Sequence, residues 1–189
     1  MFEALKDFDR EIFLFLNGLH QPWLDQAMFY MTKAVFWIPV YAVLLYLVAK
    51  TYGWKIMLWS LLAIAVVITL SDRISVELFK EVFQRYRPSR NLTIGPIVHV
   101  VNEYRGGLFG FVSSHATNFF GISTFVALLL RKQYPKILPL LILWASFICY
   151  TRVYLGVHYP SDILVGSLLG ATIGFSVYKL FKYLVLKEK

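Results

Sequence analysis

Five stretches of the chain, 27–49, 55–78, 112–130, 137–155 and 162–181, are apolar over nearly their whole length. At about 1.5 Å per residue, each can cross about 30 Å of hydrocarbon as a helix. They predict an all-α, polytopic membrane helix bundle of about five transmembrane helices. Pro39 lies within the first of them and is read as a kink, which a membrane helix tolerates. Residues 1–26 follow a different pattern. Phe2, Leu5, Phe8, Ile12, Phe15, Leu16 and Leu19 recur at three- and four-residue steps, with Glu3, Lys6, Asp7, Arg10 and Glu11 mostly opposite. That period predicts an N-terminal amphipathic helix lying at the membrane interface. Trp23, Trp37, Trp54 and Trp59 fall near the proposed ends, where indole rings anchor at headgroup depth. The longest connection, 89–111, is expected to be a substrate loop, with Gly106–Gly107 as a hinge. There is no internal repeat, so residues 1–189 read as a single integral-membrane domain.

Composition agrees with the pattern. The 189 residues are 58% apolar and only 16% charged, against about 45–50% and 25% for soluble domains. The net charge of +8 is not gathered into a basic, aromatic-interleaved run, so no nucleic-acid partner is expected. The charge instead orients the chain. Lys50, Lys55, Arg131, Lys132, Lys136, Lys179, Lys182, Lys187 and Lys189 fall on one side of the predicted spans. Lys80, Arg85, Arg87, Arg90, Arg105 and Arg152 fall on the other. The positive-inside rule makes the nine-residue side cytoplasmic and turns 79–111 and 152–161 toward the periplasm or the cell exterior. The first twenty residues begin with acids and hold only a short apolar stretch, so no cleavable leader is expected. Cys149 is the single cysteine, which excludes an internal disulfide.

Three places on the outward side carry side chains that a lipid-facing helix would avoid. They are Lys80 and Arg87 in "KEVFQRYRP", Ser113, Ser114 and His115 in "FVSSHATNFF", and Arg152, His158 and Asp162 in "TRVYLGVHYPSD". If the second span runs on to Pro88, Arg73, Lys80 and Arg87 share one helix face. Arginine forks and a lysine suit the three oxygens of a phosphoryl group. A helix start near Ser113 and Ser114 adds backbone N–H donors. His158 and Asp162, four apart, fit a nucleophile and its orienting carboxylate, and His115 fits a general acid. Too few carboxylates stand near them for a magnesium cage, so no metal or other cofactor is expected.

These three pieces, Lys80-x6-Arg87-Pro88, Val112-Ser113-Ser114-His115 and Thr151-Arg152-x5-His158-x3-Asp162, resemble the signature of the type-2 phosphatidic acid phosphatase superfamily. That superfamily includes membrane lipid phosphatases, soluble acid phosphatases and vanadium haloperoxidases. The chain departs from the usual Pro-Ser-Gly-His at Val112 and Ser114, and Thr151 replaces the usual Ser. The resemblance implies that His158 becomes a phosphohistidine, held by Asp162, and that His115 protonates the leaving oxygen. Lys80, Arg87, Ser113, Ser114 and Arg152 would bind phosphate. It also implies a bacterial inner-membrane enzyme that cleaves a lipid phosphate without a metal: a lipid A phosphate or undecaprenyl diphosphate first, phosphatidylglycerol phosphate or phosphatidic acid as the alternative. The bilayer and the lipid are the expected partners; no obligate protein partner is evident.

Plainer readings stand beside these. Arg85 and Arg87 fit interfacial side chains that reach for water, and Asp72 and Arg73 fit structural ion pairs. Gly166, Gly170 and Gly174 fit close helix packing, with dimerisation as the second reading. His20 and His99 have no assigned role. A lipid-phosphate binder or transporter could use the same cations without cleaving anything, although binding alone would not need two histidines.

Overall fold

The computed structural model describes residues 2–186. Lys187 and Lys189, counted above among the cytoplasmic cations, and the side chain of Phe2 lie outside the described residues. The fold is all-helical: α1 (Phe2–Gly18), α2 (Pro22–Met31), α3 (Ile38–Tyr52), α4 (Trp54–Phe83), α5 (Ser114–Leu130), α6 (Ile137–Tyr154) and α7 (Pro160–Leu184). Four segments, Ala34–Tyr52, Trp54–Phe83, Ile137–Tyr154 and Pro160–Leu184, are long and apolar enough to cross a membrane. The chain is a multi-pass membrane protein. Helix α5 is equally apolar but shorter, at 17 residues. It can be shorter because it is surrounded by protein: Phe125, Val126, Leu129 and Leu130 are buried in the main core with Val67 of α4 and Ile173, Val177 and Phe181 of α7. Leu58, Trp59 and Leu62 of α4 and Leu164 and Leu168 of α7 face outward, as lipid-facing residues do.

Helices α5 and α7 make the closest pair. A methyl at Gly170 would run into the Thr117 carbonyl, and one at Gly174 into that of Gly121. The glycine face is therefore packing within the monomer, where small residues let two backbones approach.

The structure departs from the sequence reading in three places. The first span is not one kinked helix. α2 ends at Met31, a 3-10 turn covers Ala34–Trp37, and Pro39 stands in the first turn of α3. Proline suits that position, because a first-turn N–H needs no partner, whereas mid-helix its ring would clash. The amphipathic segment 1–26 is likewise two helices, broken between Gly18 and Pro22. Within α1 the predicted apolar residues Leu5, Phe8 and Phe15 are exposed, as is Leu19 just beyond it, while Asp9, Phe13 and Asn17 form a buried stripe at four-residue steps.

The second span runs past 78 to Phe83 but stops short of Pro88, with a π-helical stretch from Ile74 to Lys80 and Gln84 in the left-handed region. The shared face of Arg73, Lys80 and Arg87 is thereby lost. Arg73 points outward and forms its ion pair within the helix, with Glu77 at 2.8 Å, and Asp72 accepts a hydrogen bond from Asn118 of α5 at 2.9 Å in place of an ion pair. Arg87 instead lies beyond the helix.

Candidate active site

His158 and Asp162 sit where α7 begins. Pro160 opens the helix, and Asp162, at its third position, accepts the Tyr159 N–H at 3.0 Å through Oδ2. This is the carboxylate half of a capping box, so the cap fixes the acid before it does any chemistry. The same oxygen stands 3.4 Å from His158 Nδ1, and the ring also makes a hydrogen bond to the Gly110 backbone. On the other edge, His158 Nε2 lies 2.8 Å from Arg87 Nη1. A guanidinium only donates, so Nε2 is the acceptor and carries the lone pair. The proton therefore resides on Nδ1, toward the carboxylate. Burial, followed by the charges of Arg87, Arg152 and Lys80, holds His158 well below its ordinary range. The ring is neutral, with its Nε2 lone pair engaged by the Arg87 cation.

The cations arrive from three elements. Arg87, beyond the end of α4, is anchored by its N–H to Leu108 O at 3.1 Å and by Nη1 to Val157 O at 3.0 Å. Burial, then the neighbouring Arg152, lowers it to about 10, so it stays charged at neutral pH. Lys80, at the end of the π-helical stretch, donates to Ser114 Oγ, which also bonds Ser75 Oγ at 2.6 Å. Arg152, on the last turn of α6, donates to Thr32 Oγ1 at 2.8 Å and to Tyr104 Oη at 3.0 Å.

The start of α5 closes the site. Ser113 is fully buried and caps the helix, accepting from Ala116 N at 3.3 Å; its own N–H donates to Asp162 O at 3.0 Å. His115 stacks obliquely on Phe119, and its ring lies within the electrostatic reach of Arg152 and His158. Among the described residues, Arg87 Nε, Arg152 Nε and His115 Nε2 are buried without a hydrogen-bond partner. Buried polar atoms are almost always satisfied, and the oxygens of a phosphoryl group match this donor set. Among the described residues Asp162 is the one carboxylate bonded to His158, and it is engaged on both oxygens, which leaves no hard-ligand cage there for a divalent cation.

Lys80, Arg87, Ser113, Ser114, His115, Arg152, His158 and Asp162 are thus drawn from three distant parts of the chain into one cluster. The loop after Arg87 forms its wall. Gly106, at φ +64°, has the Arg87 guanidinium where a Cβ would lie, at 3.2 Å. Tyr104 and Gly110 belong to the same wall. Sequence spacing did not expose Arg85, Asp9, Tyr104 or Gly110. A dry signal existed only for Asp9, an acid on the apolar rather than the polar side of the second turn of α1.

A cavity of about 400 Å³ leads away from His115 between α3, α4 and α5. It is lined by apolar side chains such as Leu44, Ile64, Phe125 and Val126, and reaches Leu129. Fourteen residues separate His115 from Leu129, about 21 Å along α5. His20 and His99, without a role in the sequence reading, stack face to face at 3.7 Å, with His99 Nε2 3.0 Å from Asp25. One ion cannot lie in the planes of two rings stacked in parallel at 3.7 Å, and the cluster joins the α1–α2 elbow to the 89–111 loop.

The family comparison settles the kinship of the site. Residues 56–186 match the model of the PAP2 superfamily. The chain belongs to that superfamily. The PAP2 match covers all three motif segments and four of the seven helices, α4 in part and α5 to α7 whole. The chain is 41% identical over 179 residues to a lipid A 4'-phosphatase of Bacteroides thetaiotaomicron, covering 94% of this chain and 79% of that protein. It is 31% identical over 184 residues to a lipid A 4'-phosphatase of Porphyromonas gingivalis, covering 96% and 76%. In fold it is similar to the transmembrane PAP2-type phosphatidylglycerolphosphate phosphatase of Bacillus subtilis, with a TM-score of 0.72 at 24% identity over 98% of this chain and 90% of that one. Superfamily membership together with the two lipid A 4'-phosphatase relatives makes the chain a phosphoric ester hydrolase that acts on lipid phosphates.

Proposed function

We propose that the protein removes a phosphate from lipid A at the periplasmic surface of a bacterial inner membrane, through a phosphohistidine on His158. The observation that carries the mechanism is the hydrogen bond from Arg87 to His158 Nε2 at 2.8 Å with Asp162 behind Nδ1. It leaves a neutral nucleophilic nitrogen beside the cation that would bind the phosphate.

When phosphate enters, Arg87 transfers its donors from Nε2 to the phosphoryl oxygens, joined by Arg152, Lys80 and the N–H groups at the start of α5. The Nε2 lone pair attacks phosphorus, and the P–O bond to the lipid breaks as His115 gives its proton to the departing oxygen. Asp162 stabilises the cationic ring that forms. A water then attacks phosphorus, forming a new P–O bond as the P–N bond breaks and His115 takes the water proton, and inorganic phosphate leaves with His158 neutral again. Both bonds are exchanged at one phosphorus, and no electron carrier or metal is consumed.

The cavity beside His115 supports a lipid substrate, since about 21 Å of apolar groove fits an acyl chain whose headgroup lies among the cations. The preference for lipid A rests on the two relatives so named, which align along almost the whole chain. The outward orientation rests on the lysine and arginine asymmetry. The test is phosphate release by purified wild type and His158→Ala in EDTA, across lipid A, undecaprenyl diphosphate, phosphatidylglycerol phosphate and phosphatidic acid. Release from lipid A by wild type alone is expected. Preference for another lipid would overturn the substrate, a strict demand for Mg²⁺ would overturn the mechanism, and binding without release would leave a non-hydrolytic carrier.

A further inference from the structure

The catalytic pair is held from behind by residues outside the three motifs. Asp162 is fully buried, and its Oδ1, the oxygen turned away from His158, accepts from Arg85 Nη1 at 2.8 Å. The other branch of the same guanidinium reaches Asp9 Oδ2 on α1 at 2.6 Å, and its plane lies over the Tyr159 ring at 4.0 Å. Asp9 is itself nearly buried and accepts both the N–H of Ser161, at 2.9 Å, and its hydroxyl. An alternating line of charge therefore runs His158–Asp162–Arg85–Asp9, from the nucleophile to the N-terminal helix. α1 is fastened at two further points on the same stripe. Phe13 packs edge-on against Tyr159 at 5.4 Å, and Asn17 bonds His99 N, Val153 O and Tyr154 O.

We infer that Arg85 and Asp9 are positioning residues for the His158–Asp162 pair, making α1 part of the catalytic apparatus. The inference rests on the phosphohistidine reading of the same site. A buried carboxylate keeps its charge and direction only while its lone pairs are engaged. Tyr159 N–H and His158 occupy one oxygen, and Arg85 alone among the described residues occupies the other. Without Arg85, that oxygen loses its countercharge and the carboxylate no longer holds the imidazole on its attack line. Asp9 acts one step further back: it fixes the fork of Arg85, and Ser161 ties it to the first turn of α7. Two carboxylates on one guanidinium need a planar fork, which lysine lacks. The seating of α1, whose outer face carries exposed Leu5, Phe8 and Phe15, would then set the geometry of the nucleophile.

The experiment compares purified full-length wild type, Arg85→Met, Arg85→Lys, Asp9→Asn, the Asp9→Asn/Arg85→Met double variant, and Asp7→Asn as a control on the outer face of α1. Turnover and KM are measured on the lipid that wild type hydrolyses, with thermal midpoints recorded alongside. Arg85→Met should lower kcat by tenfold or more with KM within twofold, Arg85→Lys should recover part of the loss, and Asp9→Asn should lose less than Arg85→Met. The double variant should lose no more than Arg85→Met, because both act through one carboxylate, and Asp7→Asn should match wild type. If Arg85→Met does not fold, Arg85→Lys and Asp9→Asn carry the same kcat-against-KM comparison. Unchanged kcat in Arg85→Lys and Asp9→Asn, or a rise in KM with kcat intact, overturns the inference. A wild type that hydrolyses nothing overturns the underlying reading instead.

Discussion

Gly110 offers a sharp test of how closely the site is fitted. A methyl there would lie 3.1 Å from Asp162 Oδ2, 3.2 Å from Arg87 Cγ and 3.6 Å from His158 Nδ1. Carbon contacts are comfortable at about 3.5–4.0 Å, so the neighbours would have to withdraw by roughly 0.3–0.8 Å. Asp162 is held by Tyr159, Arg85 and the helix cap, and Arg87 by Val157 and Leu108. Neither can yield without moving the His158 ring between them. A displacement of about 1 Å at a reacting centre can cost about 10²-fold in rate. Gly110→Ala should therefore lower kcat by about 10–100-fold, or about 1.4–2.7 kcal/mol of barrier. KM should rise by less than kcat falls, because only Arg87 among the phosphate-binding cations is displaced while the Arg152 and Lys80 contacts are untouched. The assay is initial-rate phosphate release in mixed micelles, with the thermal midpoint followed in the same detergent. Wild-type kcat in Gly110→Ala would refute the reasoning, as would a loss that only tracks the amount of folded protein.

Three other outcomes follow from the same structure. Burial and three cations hold His158 well below 6.5, so the acid limb of kcat/KM should lie well below pH 6.5; a limb at the ordinary histidine value would contradict this. The linked stability has a definite sign: the unfolded chain takes up that proton near 6.5 and the folded one resists it, so the contribution is complete above pH 6.5 and is lost as pH falls, seen as a falling thermal midpoint. Gly170→Ala adds a better helix former by about 1 kcal/mol, yet its methyl meets the Thr117 carbonyl; it should destabilise by about 1–3 kcal/mol, and an unchanged midpoint would refute the close packing.

Much of the site was legible because its residues are costly in a membrane. Lys80, Arg87, Arg152, His158 and Asp162 stand out against apolar neighbours, and their spacing survives any error in helix boundaries. The helices themselves were legible from uninterrupted apolarity, which has no other use at that length. What escaped was set by contacts between distant segments. Arg85 carries the same charge as any interfacial arginine, and only Asp9 and Asp162, 76 and 77 residues away, give it a different function. Gly110 looks like an ordinary loop glycine until Asp162 and Arg87 are placed against it. The ends of α2 and α4 depended on local backbone choices, Pro39 at a helix start and Gln84 in the left-handed region, that an apolar window averages away.

The tight pairing of α5 and α7 bears on how the protein meets a changing bilayer. His115 rides on α5 and His158 precedes α7, and the Ser113–Asp162 backbone bond joins the two helix starts at 3.0 Å. Thinning or stiffening of the lipid would tilt these two helices as a single strut, leaving the spacing of the two histidines unaltered. The arginines, which belong to other elements, would absorb the strain. On the proposed mechanism, bond breaking should then be indifferent to membrane composition, while the grip on phosphate should feel it.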